Sequence, residues 1–241
     1  MTAGVRKVLG PVVRAIVGLL PERYRLPYQV ARLRMANGLE PEIFLLDSFT
    51  DRRELALDVG ANLGYYTYHL AKLFGRVVAF EPNPAVASSL RAWGAPNVEI
   101  HTAALSSAPG DVDLFVPIVN GVRQPGWASF DRNNLAGASD FEVIRVATRT
   151  LDSYGFRDVS FIKMDVEGHE PAVLQGARET IRASRPVVLV EVKELNRDLV
   201  FGFFDALGYS PFQVREGKLV PVVEPSGVEA PGGENYVFRP S

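Results

Sequence analysis

Residues 55 to 64 read Leu55-Ala-Leu-Asp-Val-Gly-Ala-Asn-Leu-Gly64, an apolar run that ends in a glycine turn. The next apolar run, Val77-Val-Ala-Phe-Glu81, closes on a carboxylate. This combination predicts a strand, a tight turn, a helix and a second strand, with Glu81 at the second strand's tip. Gly60 and Gly64 lack a Cβ and allow close backbone approach to a ligand. Glu81 follows the turn by roughly 20 residues, where a unit of this kind holds ribose hydroxyls. The expected ligand is therefore a nucleoside.

The pattern continues along the chain. Predicted strands are 55–59, 76–81, 97–102, 159–165 and 187–192, and predicted helices are 64–74, 84–93, 170–183 and 195–207. Short apolar runs rich in β-branched residues, alternating with helices, predict a parallel sheet covered on both faces. Residues 111–117 and 142–149 read as an antiparallel pair around a long loop, Ile118 to Asp140, which carries Trp127, Ser129 and Phe130. Loops of that length in a domain are usually functional or disordered. From Tyr209 to Phe238 the chain alternates and turns at Glu216-Gly217 and Pro231-Gly-Gly233, which predicts antiparallel strands at the sheet edge. Two regions are expected: a helical, basic extension over 1–50 and one α/β domain over 51–241.

Composition narrows the chemistry. There is no cysteine, so thiolate nucleophiles and thiolate metal sites are excluded. The formal net charge of −2 offers no field for nucleic acid, and no nucleic-acid partner is expected. The apolar stretch Val8 to Leu20 is interrupted by Pro11 and Arg14 and is too short to span a bilayer. It is expected to be an amphipathic helix covering the domain; a membrane-surface helix and a homodimer contact are the alternatives. The expected location is the cytoplasm, with peripheral membrane attachment as the variant.

The glycine turn is Gly-x-x-x-Gly, and Asn62 stands where a dinucleotide fold places its second glycine. A side chain there disfavours a pyrophosphate. Asp58, two residues before the turn, suits the amino group of an amino-acid-like ligand. S-adenosylmethionine has that ammonium and a ribose, without phosphate. A nucleotide-dependent oxidoreductase and a non-catalytic nucleoside-binding module are the alternative readings.

Four segments, Leu57-Asp-Val-Gly-Ala-Asn-Leu-Gly-Tyr-Tyr66, Ala79-Phe-Glu-Pro-Asn-Pro84, Asn97-Val-Glu-Ile-His-Thr-Ala-Ala-Leu-Ser106 and Phe161-Ile-Lys-Met-Asp-Val-Glu-Gly-His-Glu170, resemble the FkbM family of S-adenosylmethionine-dependent methyltransferases. Thr150-Leu-Asp152 and Glu234-Asn-Tyr-Val-Phe238 follow the same pattern. The resemblance implies the class I methyltransferase fold, a Rossmann-like three-layer sandwich whose seven-stranded, mostly parallel sheet has its last strand antiparallel. It also implies O-methylation of a sugar or natural-product hydroxyl, a glycolipid or polyketide acceptor among them. By the resemblance, Gly60, Asn62 and Gly64 line the methionine portion and Glu81 holds the ribose. Pro82 and Asn83 lie against ribose and adenine, and Ala103 and Ala104 meet the adenine edge.

A second polar constellation, Lys163-Met-Asp-Val-Glu-Gly-His-Glu170, follows a predicted strand, and Glu191 ends the neighbouring one. Asp165, Glu167, His169 and Glu191 are thus expected at the carboxyl edge of the sheet, where ligands bind. His169 is the expected base because imidazole titrates near neutrality, with Glu167 or Asp165 orienting it. The alternative is a Mg²⁺ ion on Asp165 and Glu191 acidifying the acceptor hydroxyl. Trp127, Ser129 and Phe130 are expected to wall the acceptor. Lys163 is expected to pair with a neighbouring carboxylate.

Overall fold

The computed structural model describes residues 17–132, 135, 138, 140–222 and 234–241. The expected helix over Val8 to Leu20 and the turn at 231–233 therefore lie mostly or wholly outside the described residues.

The main sheet is built on β1 (Leu55–Val59), β2 (Arg76–Phe80), β3 (Val98–His101), β8 (Val159–Met164) and β9 (Val187–Val192), all parallel. It is completed by β10 (Tyr209–Arg215), β11 (Lys218–Pro221) and β12 (Glu234–Pro240) in the order β11-β10-β12-β9-β8-β1-β2-β3. The sheet has eight strands where seven were expected. The additional strand is β11, which turns back on β10 through Glu216 and Gly217, both at positive φ. The expected edge placement holds for β10 and β11 but not for β12. That strand is threaded between β9 and β10, antiparallel to both, because its core residues Tyr236, Val237 and Phe238 are apolar on both faces.

Side chains alternate across each strand and divide the core in two. Leu57, Val59, Val78, Phe80, Ile162, Val188 and Val190 face one side. There they meet helices α5 (Glu170–Gly176), α6 (Arg178–Ser184) and α7 (Arg197–Asp205) through Val173, Ile181 and Phe204. On the other side Ala56, Val77, Ala79, Phe161 and Leu189 meet α1 (Glu22–Met35), α2 (Leu46–Phe49), α3 (Tyr65–Leu73) and α4 (Pro84–Trp93). Leu26, Val30, Leu39, Ile43 and Phe49 bring the described part of the N-terminal extension into this second core.

The single helix expected over 170–183 is two, broken at Ala177, whose φ of −112° and ψ of 0° leave the helical range. The cause is tertiary. A Cβ on Gly176 would stand 2.1 Å from the carbonyl oxygen of Ser106, so the helix bends where it crosses that backbone. The expected antiparallel pair is present as β5 (Gly110–Val119) and β7 (Asp140–Arg149). With β4 (Ala104–Leu105) and β6 (Val122–Arg123) they form a separate four-stranded sheet. Its small core of Leu114, Val146 and Phe130 overhangs the carboxyl edge of the main sheet.

Candidate active site

Two cavities open at that edge and share Gly60, Asn62 and Asp165 in their walls. The first runs from the β1 turn past Glu81 and Pro82 to Ala103 and Ala104, roofed by 125–130. The second lies under the extension, between Leu39, Glu40, Asp58, Tyr66 and Lys163.

In the first cavity Glu81 is fixed by backbone. Oε2 accepts the N–H of Asn62 at 2.7 Å, and Oε1 accepts the N–H of Asn83 at 2.8 Å. Burial pushes its pKa up to about 7 against the pull of those two donors. Each oxygen keeps a lone pair for a further donor. Asn83 itself turns away from the cavity; its side chain accepts the N–H of Ala85 at 3.1 Å and caps α4. Asn62, at φ +48°, donates its side-chain amide to the carbonyl of Gly126 at 2.8 Å, tying the roof to the turn.

The two glycines serve the protein's own packing as well. A Cβ on Gly60 would lie 1.8 Å from the carbonyl oxygen of Asp165, and one on Gly64 would lie 2.1 Å from Cδ2 of Leu90. Gly60 lets the β8 loop close on the β1 turn, and Gly64 lets α4 pack against it. Gly64 lines neither cavity.

Parity explains the second cavity. Asp58 on β1, Lys163 on β8, Glu191 on β9 and Asn235 on β12 share the face that carries Ala56, Phe161, Leu189 and Val237. Asp58 and Lys163 are direct partners in the ladder, as are Glu191 and Asn235. The Asp58 carboxyl accepts the Thr67 hydroxyl at 2.5 Å, and burial raises its pKa to about 6. Lys163 Nζ lies 3.3 Å from Asp165 Oδ2. Burial opposes the Lys163 charge, but the carboxylates of Asp165, Glu40, Asp58 and Glu191 outweigh it and hold the ammonium above its ordinary range. Burial alone would raise Asp165; Lys163 and a hydrogen bond from Glu191 bring it below the usual range. Glu191 is driven up to about 9, by burial first and then by the charge of Asp165.

The alternative reading, a Mg²⁺ ion on Asp165 and Glu191, is therefore not supported. Asp165 is already engaged by an ammonium, and Glu191 serves it as a hydrogen-bond donor. Among the described residues no group of three or more His, Asp and Glu side chains converges as a metal site requires. His169 also departs from its expected role. Its Nε2 meets Ser106 Oγ at 3.0 Å, its ring packs edge-on to Phe130 at 5.5 Å, and it does not line either cavity. Burial lowers its pKa, keeping the ring neutral. Glu167 does line the first cavity and pairs with Lys193 at 2.9 Å. Of the expected acceptor wall, Ser129 and Phe130 face the cavity, whereas Trp127 is 61% exposed outside it. Sequence reasoning missed Lys163, Tyr66 and Glu40 as site residues. For Lys163 a signal existed: it shares the parity of Phe161 within a strand of apolar residues.

Five parallel strands, an antiparallel strand inserted near one end, helices on both faces and polar groups gathered at the carboxyl edge define a Rossmann-like fold of the class I methyltransferase type. Residues 58–211 match the methyltransferase FkbM domain, and the chain belongs to that family. It is 26% identical over 174 residues to the hexuronic acid methyltransferase AglP of Haloferax volcanii, a match covering 68% of this chain and 66% of that protein. The crystal structure of methyltransferase FkbM from Methylobacillus flagellatus KT superposes with a TM-score of 0.52 at 16% identity, over 98% of this chain and 60% of that one. The chain thus spans less than two thirds of the length of either relative, 66% of the first and 60% of the second. Among the described residues, no helix is long and apolar enough to cross a membrane.

Proposed function

We propose that the protein is an S-adenosylmethionine-dependent O-methyltransferase acting on a sugar hydroxyl. The observation that carries this reading is Glu81, a carboxylate held by two backbone N–H groups in a cavity whose turn has a side chain, Asn62, where a pyrophosphate would need glycine. Glu81 would take the ribose hydroxyls, and Pro82, Ala103 and Ala104 the nucleoside's flat faces and edge. The amino-acid end would enter the second cavity beside Asp58. Bound there, the cofactor supplies an electrophilic methyl group on a sulfonium.

The chain's own work is to align an acceptor oxygen and remove its proton. Alignment in a fixed geometry supplies about 7–11 kcal/mol in favourable cases, so a modest base is enough. Asp165 is our candidate, since it lines both cavities. His169 would position the wall through Ser106 and Phe130. A sugar acceptor is supported by the hexuronic acid methyltransferase among the relatives. The described part of the extension would close the second cavity, and domain limits near residue 50 remain our reading of the chain. Calorimetry with S-adenosylhomocysteine and with NAD tests the cofactor. Incubation with S-adenosylmethionine and a panel of hexuronic and neutral hexose glycosides, read as S-adenosylhomocysteine formed, tests the acceptor. Binding of NAD in place of the nucleoside overturns the reading.

A further inference from the structure

Lys163 sits in the middle of a buried strand and is 2% exposed. Its Nζ is 3.3 Å from Asp165 Oδ2 and 4.7 Å from the centre of the Tyr66 ring. A charge this deep persists only when paired. Carboxyl groups face it from every packed element: Asp58 from β1, Glu40 and Glu42 from the extension, Asp165 from the β8 loop and Glu191 from β9. Tyr66 adds its ring from α3, its hydroxyl donating to Glu40 at 2.7 Å. Lys193, itself paired with Glu167, adds a second positive charge near Asp165.

Met164 and Val190 are ladder partners, so Asp165 and Glu191, the next residue on each of these adjacent parallel strands, leave the ladder side by side. Two carboxyl groups that close do not both ionise, so they share one proton. The remaining asymmetry is the lysine, which touches Asp165. We propose that Lys163 is a positioning residue for methyl transfer: its ammonium fixes Asp165 as the ionised member of the pair, facing the cavities, while Glu191 keeps its proton and donates a hydrogen bond to Asp165.

The consequence is directional. Of the pair, only Asp165 can take a proton leaving an acceptor hydroxyl, because Glu191 already carries its own. Lys163 acts on that proton through Asp165, which it contacts directly. This inference rests on the reading of Asp165 as the base.

The test is solution NMR of the full chain, ¹³C-labelled at the Asp and Glu side-chain carboxyls, with Asp165 and Glu191 assigned through Asp165→Asn and Glu191→Gln. At neutral pH the wild-type protein should show Asp165 at the ionised shift and Glu191 at the protonated one. Glu191→Gln, whose amide donates in place of the carboxyl, should leave Asp165 where it was. Lys163→Met should move Asp165 toward the protonated position. An ionised Glu191 with a protonated Asp165 in the wild type overturns the proposal, and so does an unmoved Asp165 in folded Lys163→Met. If Lys163→Met does not fold, the wild-type and Glu191→Gln spectra decide. Calorimetric titration of the same samples with S-adenosylhomocysteine separates the two readings: expected carboxyl shifts without binding leave the clamp standing and remove the cofactor assignment.

Discussion

Asn62 and Gly126 are joined by a 2.8 Å hydrogen bond from side-chain amide to carbonyl oxygen, which pins the cavity roof to the turn after β1. The backbone N–H of the same Asn62 holds Glu81. One residue therefore couples the Glu81 carboxylate to the roof. Asn62→Gly keeps the left-handed backbone but removes the tie, at about 0.5–1.5 kcal/mol. Affinity for S-adenosylhomocysteine should fall by up to about tenfold, with faster release followed by Trp127 fluorescence. Unchanged binding and release would remove the roof tie from the mechanism.

Glu81 and Asp58 make stability depend on pH in a stated direction. Both carboxyls have folded pKa values raised by burial, to about 7 and about 6. Between an ordinary carboxyl value and those values the folded protein binds more protons than the unfolded one, so stability falls as pH rises through this window. For Glu81 the span is worth about 3 kcal/mol at roughly 1.4 kcal/mol per pK unit. Cofactor affinity should move oppositely, rising toward pH 8 as Glu81 ionises and accepts both ribose hydroxyls. Denaturant melts from pH 5 to 8 and calorimetry with S-adenosylhomocysteine read the two trends. Glu81→Gln should flatten the stability trend and weaken binding by about 2–3 kcal/mol.

The glycines should separate by what their Cβ would meet. Gly60→Ala places a methyl 1.8 Å from the Asp165 carbonyl and must displace the β8 loop. It should abolish S-adenosylhomocysteine binding and lower the melting temperature sharply. Gly94 has a comparable φ of +70° but nothing within 4 Å. Gly94→Ala should cost only the left-handed backbone penalty, about 1–2 kcal/mol, and leave binding intact. Equal effects at the two positions would contradict the packing account.

His169 and Ser106 should behave as a coupled pair. Each single alanine variant removes the same 3.0 Å hydrogen bond, so the double variant should be more stable than the sum of the two losses by about 1 kcal/mol. Additive losses in thermal melts would show that the pair contributes nothing. His169→Ala should also leave the pH dependence of turnover in place, because the imidazole does not line either cavity.

Chelation is expected to be silent. Exhaustive EDTA treatment should leave turnover and S-adenosylhomocysteine affinity unchanged, since Lys163 occupies the side of Asp165 that an ion on the pair would need. Activity restored only by added Mg²⁺ would reverse that assignment.

What was legible in the chain was local. The run from Leu55 through Gly60 to Glu81 encodes strand, turn, helix and strand within one stretch, and the structure places those elements with small shifts at their ends. Relationships made across the sheet were not legible. The role of Gly60 against Asp165 joins residues far apart in sequence, and no local pattern separates a glycine needed for a ligand from one needed for another loop. The break at Ala177 follows from Ser106 lying against Gly176. His169 looked like a base because its intrinsic pKa suits one; its direction is set by Ser106 and Phe130, which the sequence does not place beside it.

Strand β12 enters between two strands already addressed to other partners, and that has a consequence for the acid-lined cavity. Sliding β12 by a single residue would swap its two faces, sending Tyr236 and Phe238 out of one core and carrying Asn235 away from both Glu191 and Glu40. The oily half of the molecule thus acts as an index for the charged half: the same ladder that counts aromatic rings into place also counts the amide into place, so neither can drift without the other.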